Sequence, residues 1–245
     1  MTRPKAVVFG CRGPDLMPDE FAFFSETSPI GFILFSRNCI SPTQIRTLTR
    51  DLRKSIGNDN APILIDQEGG RVVRLGEPYW REPPAAQVFA DLAEKDIDLA
   101  CEALSLNIRL IGADLRALGI TVNCLPVLDI PMNDADPIIS DRAFGVDAKM
   151  ISILGRVVCE ALLMEGVLPV IKHIPGHGRA NVDSHKALPT IPTEYTELSK
   201  TDFLPFKILA DMPIAMTAHI IYSAIDRENP ATTSPKVISE IIRKI

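Results

Sequence analysis

The 245-residue sequence predicts a parallel (β/α)8 barrel of the TIM type, and three observations carry that prediction. Short, continuous apolar runs alternate with longer stretches of helical periodicity, the pattern of a parallel sheet covered on both faces. Chemically able residues follow directly on the ends of those runs: Asp66, then Lys172 and His173, then His219. Barrels of this type carry their active sites at the C-terminal ends of their strands. Finally, the turn Gly10-Cys11-Arg12-Gly13 lacks the glycine spacing of a dinucleotide-binding sheet, so the barrel is preferred over a doubly wound fold.

Residues 6–9 read as the first strand and 31–35 as the second. Ser41 followed by Pro42 is an N-cap with proline at the first helical position, and Ile45, Leu48, Leu52 and Ile56 recur behind it at helical spacing. The third strand, 62–65, runs straight into Asp66. A long helical region over 85–118 ends at Gly119, a C-cap glycine, and 120–125 follows as the fourth strand. Residues 149–165 form a helix closed by Gly166, 167–171 a fifth strand, 198–210 a helix, 214–217 a sixth strand and 235–245 a last helix. About six β-then-α units are therefore read where a barrel needs eight, and the chain is expected to stop before the barrel closes. Residues 1–245 are read as a single domain.

Composition narrows the function classes. Apolar residues make up 46% and charged residues 23%, an ordinary globular balance. A net charge of -5 with no basic block argues against a nucleic-acid partner. The N-terminal segment Met1-Thr2-Arg3-Pro4-Lys5 leads into too short an apolar run for a secretory signal, and no stretch approaches a membrane span. A cytoplasmic protein with no membrane partner is expected. Cys11, Cys39, Cys101, Cys124 and Cys159 are scattered and odd in number, which reads as buried free thiols.

Three of the four histidines fall between positions 173 and 185, in KHIPGHG and the following DSH. Two chemistries can use such a loop. One is metal-assisted hydrolysis with His173, His177, Asp183 and His185 as ligands, whose residue types suit zinc. Its spacing departs from the helical HExxH pattern, and Lys172 would set a cation beside the metal. The other is acid–base catalysis, which is preferred. In an extended loop residues i and i+2 project to one side, so Asp183 can hold and orient His185 as a proton donor. Upstream, DQEGGRVVR places Asp66 at a strand end beside paired glycines and Arg74, an acceptor and a planar donor suited to hydroxyl groups. In SDRAFG, Arg142 offers a further donor, with Phe144 packing beneath it. His219 reads as a satisfied structural histidine, and Asp226 is left ambiguous.

Taken in order, IDQEGGRVVRL, SDRAFG, KHIPGHG and DSHKALP resemble bacterial β-N-acetylhexosaminidases of glycoside hydrolase family 3, of the cytosolic, peptidoglycan-recycling type. The resemblance spans essentially the whole chain; Ile174 stands where the family usually has phenylalanine. It implies that Asp66, Arg74, Arg142, Lys172 and His173 bind the hydroxyls of a terminal N-acetylglucosamine. It implies His185 as general acid/base with Asp183 as its dyad partner, in a retaining mechanism through a covalent glycosyl-enzyme. It also implies no metal or organic cofactor, a muropeptide or related oligosaccharide as substrate, and a monomer. The family's nucleophilic aspartate follows its seventh strand, so it is expected beyond Ile245. A related β-glycosidase of other sugar preference and a non-catalytic N-acetylglucosamine-binding homologue remain the alternatives.

Overall fold

The computed structural model describes residues 3–132 and 135–245; Met1 and Thr2 of the N-terminal reading lie outside them. Strand β1 (Lys5–Phe9) leads through helix α1 (Pro18–Thr27) to β2 (Pro29–Leu34), and α2 (Pro42–Ser55) leads on to β3 (Ile63–Ile65). Helices α3 (Ala86–Ala93) and α4 (Ile97–Ala117) precede β4 (Val122–Asn123), and α5 (Ala148–Met164) precedes β5 (Leu168–Pro169) and β6 (Ile171–Ile174). The remainder comprises β7 (Thr190–Ile191), α6 (Tyr195–Leu198), α7 (Leu204–Ile208), β8 (Ala215–Thr217), β9 (Ile221–Tyr222), and α8 (Pro235–Val237) running into a π-helical turn, Ile238–Ile242.

Strands β1 to β5 pair in parallel in sequence order, and β6 pairs in parallel with β8. A parallel bridge between Val127, just past β4, and Lys172 of β6 joins the two sheets. Six strand positions of a TIM-like barrel are thus realised in order. The fifth is one stretch of chain that changes partner at Val170, from β4 to β8. Strands β7 and β9 add a small parallel pair outside that series.

Alternation along the strands divides the interior. Phe32, Leu34, Ile63 and Ile65 join the large core beneath α2, α4 and α5. The intervening Ile33 and Leu64 turn the other way and pack with Val122, Cys124, Val170, Ile214 and Met216 in a smaller cluster. Helix α2 buries Ile45, Leu48 and Leu52 as its spacing requires, each contributing about 1.5–3 kcal/mol. Ser41 Oγ accepts the Gln44 N–H at 3.3 Å, and Thr49 Oγ1 donates to the Leu118 carbonyl, tying α2 to the end of α4. Gly119 and Gly166 take φ of 76° and 75° where α4 and α5 turn into strands, as their C-cap reading requires.

Several expected elements differ. Helix α1 is not among the elements expected from the sequence, although Pro18 opens it and Glu20 reaches back to accept the Arg12 and Met17 amides. The helical region over 85–118 is two helices, because Asp96 leaves the helix to cap α4, accepting the Leu99 N–H at 3.0 Å. The helix over 198–210 is reduced to α7, Leu204–Ile208, with the short α6, Tyr195–Leu198, before it. Between them Thr201 and Asp202 turn inward to meet Arg179 at 3.3 and 2.8 Å. The last helix, 235–245, keeps one α-helical turn before its hydrogen bonds lengthen into the π form.

The loop after β6 is pinned by close backbone approach. A Cβ on Gly178 would lie 1.8 Å from the Ile130 carbonyl oxygen, and the Gly178 carbonyl accepts the Met132 N–H. Gly178→Ala is therefore expected to lower stability by at least ~2 kcal/mol, since the backbone of Ile130 must move. Gly13→Ala, which adds a methyl to open space, is expected to stay within about 0.5 kcal/mol. Chemical denaturation of the two variants checks the contrast.

Candidate active site

Two carboxylates meet one buried ammonium, and each carries an arginine in turn. Lys172, on β6, is 1% exposed, and its Nζ lies 3.0 Å from Asp66 Oδ1 and 2.6 Å from Glu68 Oε1. Asp66 follows β3 directly, and its other oxygen takes Arg74 Nη2 at 3.3 Å. Glu68 receives Arg142 through two parallel bonds, Nε and Nη2 each at 2.8 Å, the geometry that suits guanidinium and carboxylate best. Burial works to lower the Lys172 pKa, but Glu68 and Asp66 outweigh it and hold the ammonium above its usual value. Burial also works to raise Glu68, yet Lys172 and Arg142 bring its carboxyl down to about 2.

The segment carrying these groups is shaped by backbone bonds. Gly69 and Gly70 take φ of 113° and 55°, and the Val72 carbonyl accepts the Glu68 N–H, which folds Arg74 back toward Asp66. Gln67, buried, accepts the Arg74 and Leu75 amides through Oε1, while its own backbone exchanges two bonds with the Asn123 side chain on β4. Arg71 crosses to Asp141 at 2.7 Å and to the Pro137 and Ile138 carbonyls, fastening this turn to the loop that presents Arg142. Phe144 is buried in the main core beside that loop.

His173 continues from Lys172. Its Nδ1 lies 2.7 Å from Asp129 Oδ2, and Asp129 Oδ1 accepts the backbone amides of both His173 and His177. The dyad forms as the sequence spacing suggests: His185 Nδ1 lies 2.7 Å from Asp183 Oδ1, which also accepts the His185 backbone N–H. Those two bonds hold the Asp183 carboxyl below the usual carboxylate range. The His185 side chain is 81% exposed, while Asp183 is buried, so the imidazole projects from an anchored base. His177 Nε2 reaches Ser184 Oγ at 3.1 Å, linking the turn after Lys172 and His173 to the loop of the dyad. Arg179 fastens the same loop to Asp202 and Glu197.

Among the seven site residues read from sequence, the structure joins Asp66, Arg74, Lys172 and Arg142 in one network, sets His173 next to it, and pairs Asp183 with His185 separately. Glu68, Asp129, Gln67 and Asn123 were missed. Glu68 stands inside a motif already singled out, but its part shows only when Lys172 and Arg142 arrive from elsewhere in the chain.

Other readings are corrected. His219 is exposed, with no hydrogen bond from its ring among the described residues, because it stands just past the strand end where the chain turns outward. Asp226 caps its own loop by accepting from Ser234 Oγ at 2.6 Å and the Glu228 and Asn229 amides. Cys39 and Cys101 are half-buried rather than buried; all five thiols are free. The zinc set does not converge on one point, since His173, His177 and His185 each direct a ring nitrogen to a different partner. Among the described residues no three His, Cys, Asp or Glu side chains are arranged to hold a metal ion, and no helix is long and apolar enough to cross a membrane.

With this geometry in place, comparison with known proteins is direct. Residues 25–245 match the glycosyl hydrolase family 3 N terminal domain. A beta-hexosaminidase of Bordetella parapertussis is 33% identical over 243 residues, a match covering 98% of this chain and 68% of that protein. A beta-hexosaminidase of Alkalilimnicola ehrlichii is 38% identical over 240 residues, with 97% and 68% covered. The crystal structure of NagZ from Neisseria gonorrhoeae in complex with N-trifluoroacetyl-D-glucosamine superposes with a TM-score of 0.92 at 30% identity, covering 98% of this chain and 71% of that one. The chain belongs to glycosyl hydrolase family 3, and it carries the barrel domain of a glycosidase.

Proposed function

We propose that the protein is a retaining exo-β-N-acetylglucosaminidase that removes terminal N-acetylglucosamine from peptidoglycan-derived muropeptides in the cytoplasm, acting as a monomer. The observation that carries the reading is the pairing of an exposed imidazole, His185, with the anchored carboxylate of Asp183 beside a rack of buried charges. A neutral sugar offers hydroxyls that both give and take hydrogen bonds. Lys172, Arg74 and Arg142 supply donors, and Asp66 and His173 supply acceptors. The NagZ structure with an N-acylated glucosamine supports N-acetylglucosamine as the bound sugar.

In the first step, protonated His185 gives its Nε2 proton to the glycosidic oxygen as the C1–O bond breaks and an aspartate attacks C1. In the second, neutral His185 takes a proton from the water that displaces that aspartate. Asp183 keeps the proton on Nδ1, so Nε2 is the atom that cycles. The nucleophilic aspartate is the one that the family resemblance puts beyond Ile245; the chain covers 68% of its Bordetella relative.

Two measurements test this. In protein extended to its relatives' length, His185→Ala should slow cleavage of N-acetylglucosaminides with poor leaving groups by about 10²–10⁴-fold. A nitrophenyl leaving group needs no proton and should be far less affected. The 245-residue chain alone should bind N-acetylglucosamine without turning over its aryl glycoside. Normal cleavage of poor leaving groups by the alanine variant would remove His185 from the mechanism, and turnover by the short chain would place the nucleophile within residues 1–245.

The rack also sets an acid limit. Because the folded Glu68 carboxyl titrates at about 2 against an ordinary 4.5, its contribution is complete above pH 4.5 and is lost as pH falls toward 2. Glu68→Gln leaves Lys172 and Arg142 short of a counter-charge and should cost about 3–5 kcal/mol at neutral pH. The gap between variant and wild type should narrow through that acid window, as denaturation at stepped pH would show. A gap that is constant with pH would mean that Glu68 is not the charged partner described.

A further inference from the structure

One buried acid is not used by the proposed chemistry. Asp129 follows β4, is fully buried, and gives its oxygens to the His173 amide at 3.1 Å, the His177 amide at 2.7 Å and His173 Nδ1 at 2.7 Å. A carboxylate removed from water in this way persists only where every acceptor site is matched. Burial raises its pKa, but the His173 ring, the hydrogen bond to it and His177 together leave it below the usual carboxylate range. An ionised carboxylate can only accept, so the hydrogen between Asp129 and His173 belongs to Nδ1. His173 Nε2 has no protein partner among the described residues, and the ring is not closed off from solvent.

We propose that Asp129 is a positioning residue that fixes the hydrogen-bond polarity of His173: it holds the ring in the Nδ1–H tautomer, so that Nε2 meets a sugar hydroxyl as an acceptor. The inference rests on the sugar-binding reading of His173 given above and adds the sense of its bond. Every cation around Lys172 can only donate; of the two acceptors, Asp66 already takes one bond on each oxygen, from Lys172 and Arg74, while His173 Nε2 takes none. A hydroxyl with a proton to give therefore finds an open acceptor at His173. Selection follows from that sense. A sugar whose hydroxyl is replaced by hydrogen or fluorine at the position facing His173 cannot give the proton and should bind less well.

Asp129→Asn separates polarity from structure. The amide oxygen can still accept both backbone amides, but the NH2 now stands where Oδ2 was and can only donate to Nδ1. The ring must then carry its proton on Nε2 and turn from acceptor to donor. The decisive experiment is the histidine side-chain ¹⁵N–¹H correlation spectrum of the 245-residue chain above pH 7, with His173→Gln used to assign the ring. The wild-type ring should show a protonated Nδ1 and a bare Nε2, and Asp129→Asn should exchange them. N-acetylglucosamine affinity should fall about tenfold in that variant. The penalty for the deoxy or fluoro sugar should disappear there.

A wild-type ring protonated at Nε2, or at both nitrogens, overturns the proposal whether or not the variant folds. An Asp129→Asn protein that keeps the wild-type tautomer and affinity overturns it as well. The parent reading fails differently: a chain with the expected tautomer that does not bind N-acetylglucosamine refutes His173 as a sugar ligand, while sugar binding by a ring protonated at Nε2 refutes only the role assigned to Asp129.

Discussion

The ammonium of Lys172 is almost wholly buried, and much of the site follows from how that charge is accommodated. An isolated buried cation costs several kcal/mol, and a single partner would leave hydrogen-bond donors unmet. Here two carboxylates approach it, Asp66 from the end of β3 and Glu68 two residues on, and each brings a guanidinium in turn, Arg74 and Arg142. The result is a chain of alternating charges that ties the ends of β3 and β6 to the loop before α5. Its members come from positions 66 to 172, so it can form only when the strands are in register. The barrel supplies the register, and the charges penalise any other.

Beside this rigid rack lies a loop of different character. Residues 176–185 leave the sheet and are held by a few specific bonds: Arg179 to Asp202 and Glu197, His177 to Ser184, and the Tyr222 hydroxyl to the Gly176 carbonyl. The dyad stands at the end of that loop, with Asp183 tucked in and the His185 ring out in solvent. In the function proposed above, sugar recognition falls on the rack beside the strand ends, and proton transfer on the loop. Asp129 touches both parts, since it clamps His173 on the strand and His177 where the loop begins.

How much was legible in the sequence depended on the range of each interaction. The dyad was readable because Asp183 and His185 are two residues apart, and their alternation fixes the pairing without help from the fold. The capping of α2 by Ser41 and Pro42 was readable for the same reason. The signal at Asp96 is equally local, but the helical pattern on both sides of it masks the break, and the Pro18-Asp19-Glu20 start of α1 is followed by no clear helical periodicity. The partnership of Lys172 with Asp66 spans 106 residues and that of Arg142 with Glu68 spans 74, so neither can be derived from spacing. Asp129 gave least warning: in sequence it is one acid after an apolar strand, and its part depends on two amides and a ring that only the folded chain brings to it. The change of partner within the fifth strand was likewise not read, because 167–171 is one continuous apolar run.

The central claim, that the buried ammonium and its carboxylates form the grip on the sugar, is tested most directly by calorimetric titration of N-acetylglucosamine into wild type and Lys172→Met, with melting curves recorded alongside. Methionine keeps much of the volume and removes the charge. The account predicts an affinity loss of about tenfold or more in protein that still unfolds cooperatively, because Asp66 loses the partner that orients it. A folded Lys172→Met protein that binds N-acetylglucosamine as tightly as wild type would contradict it.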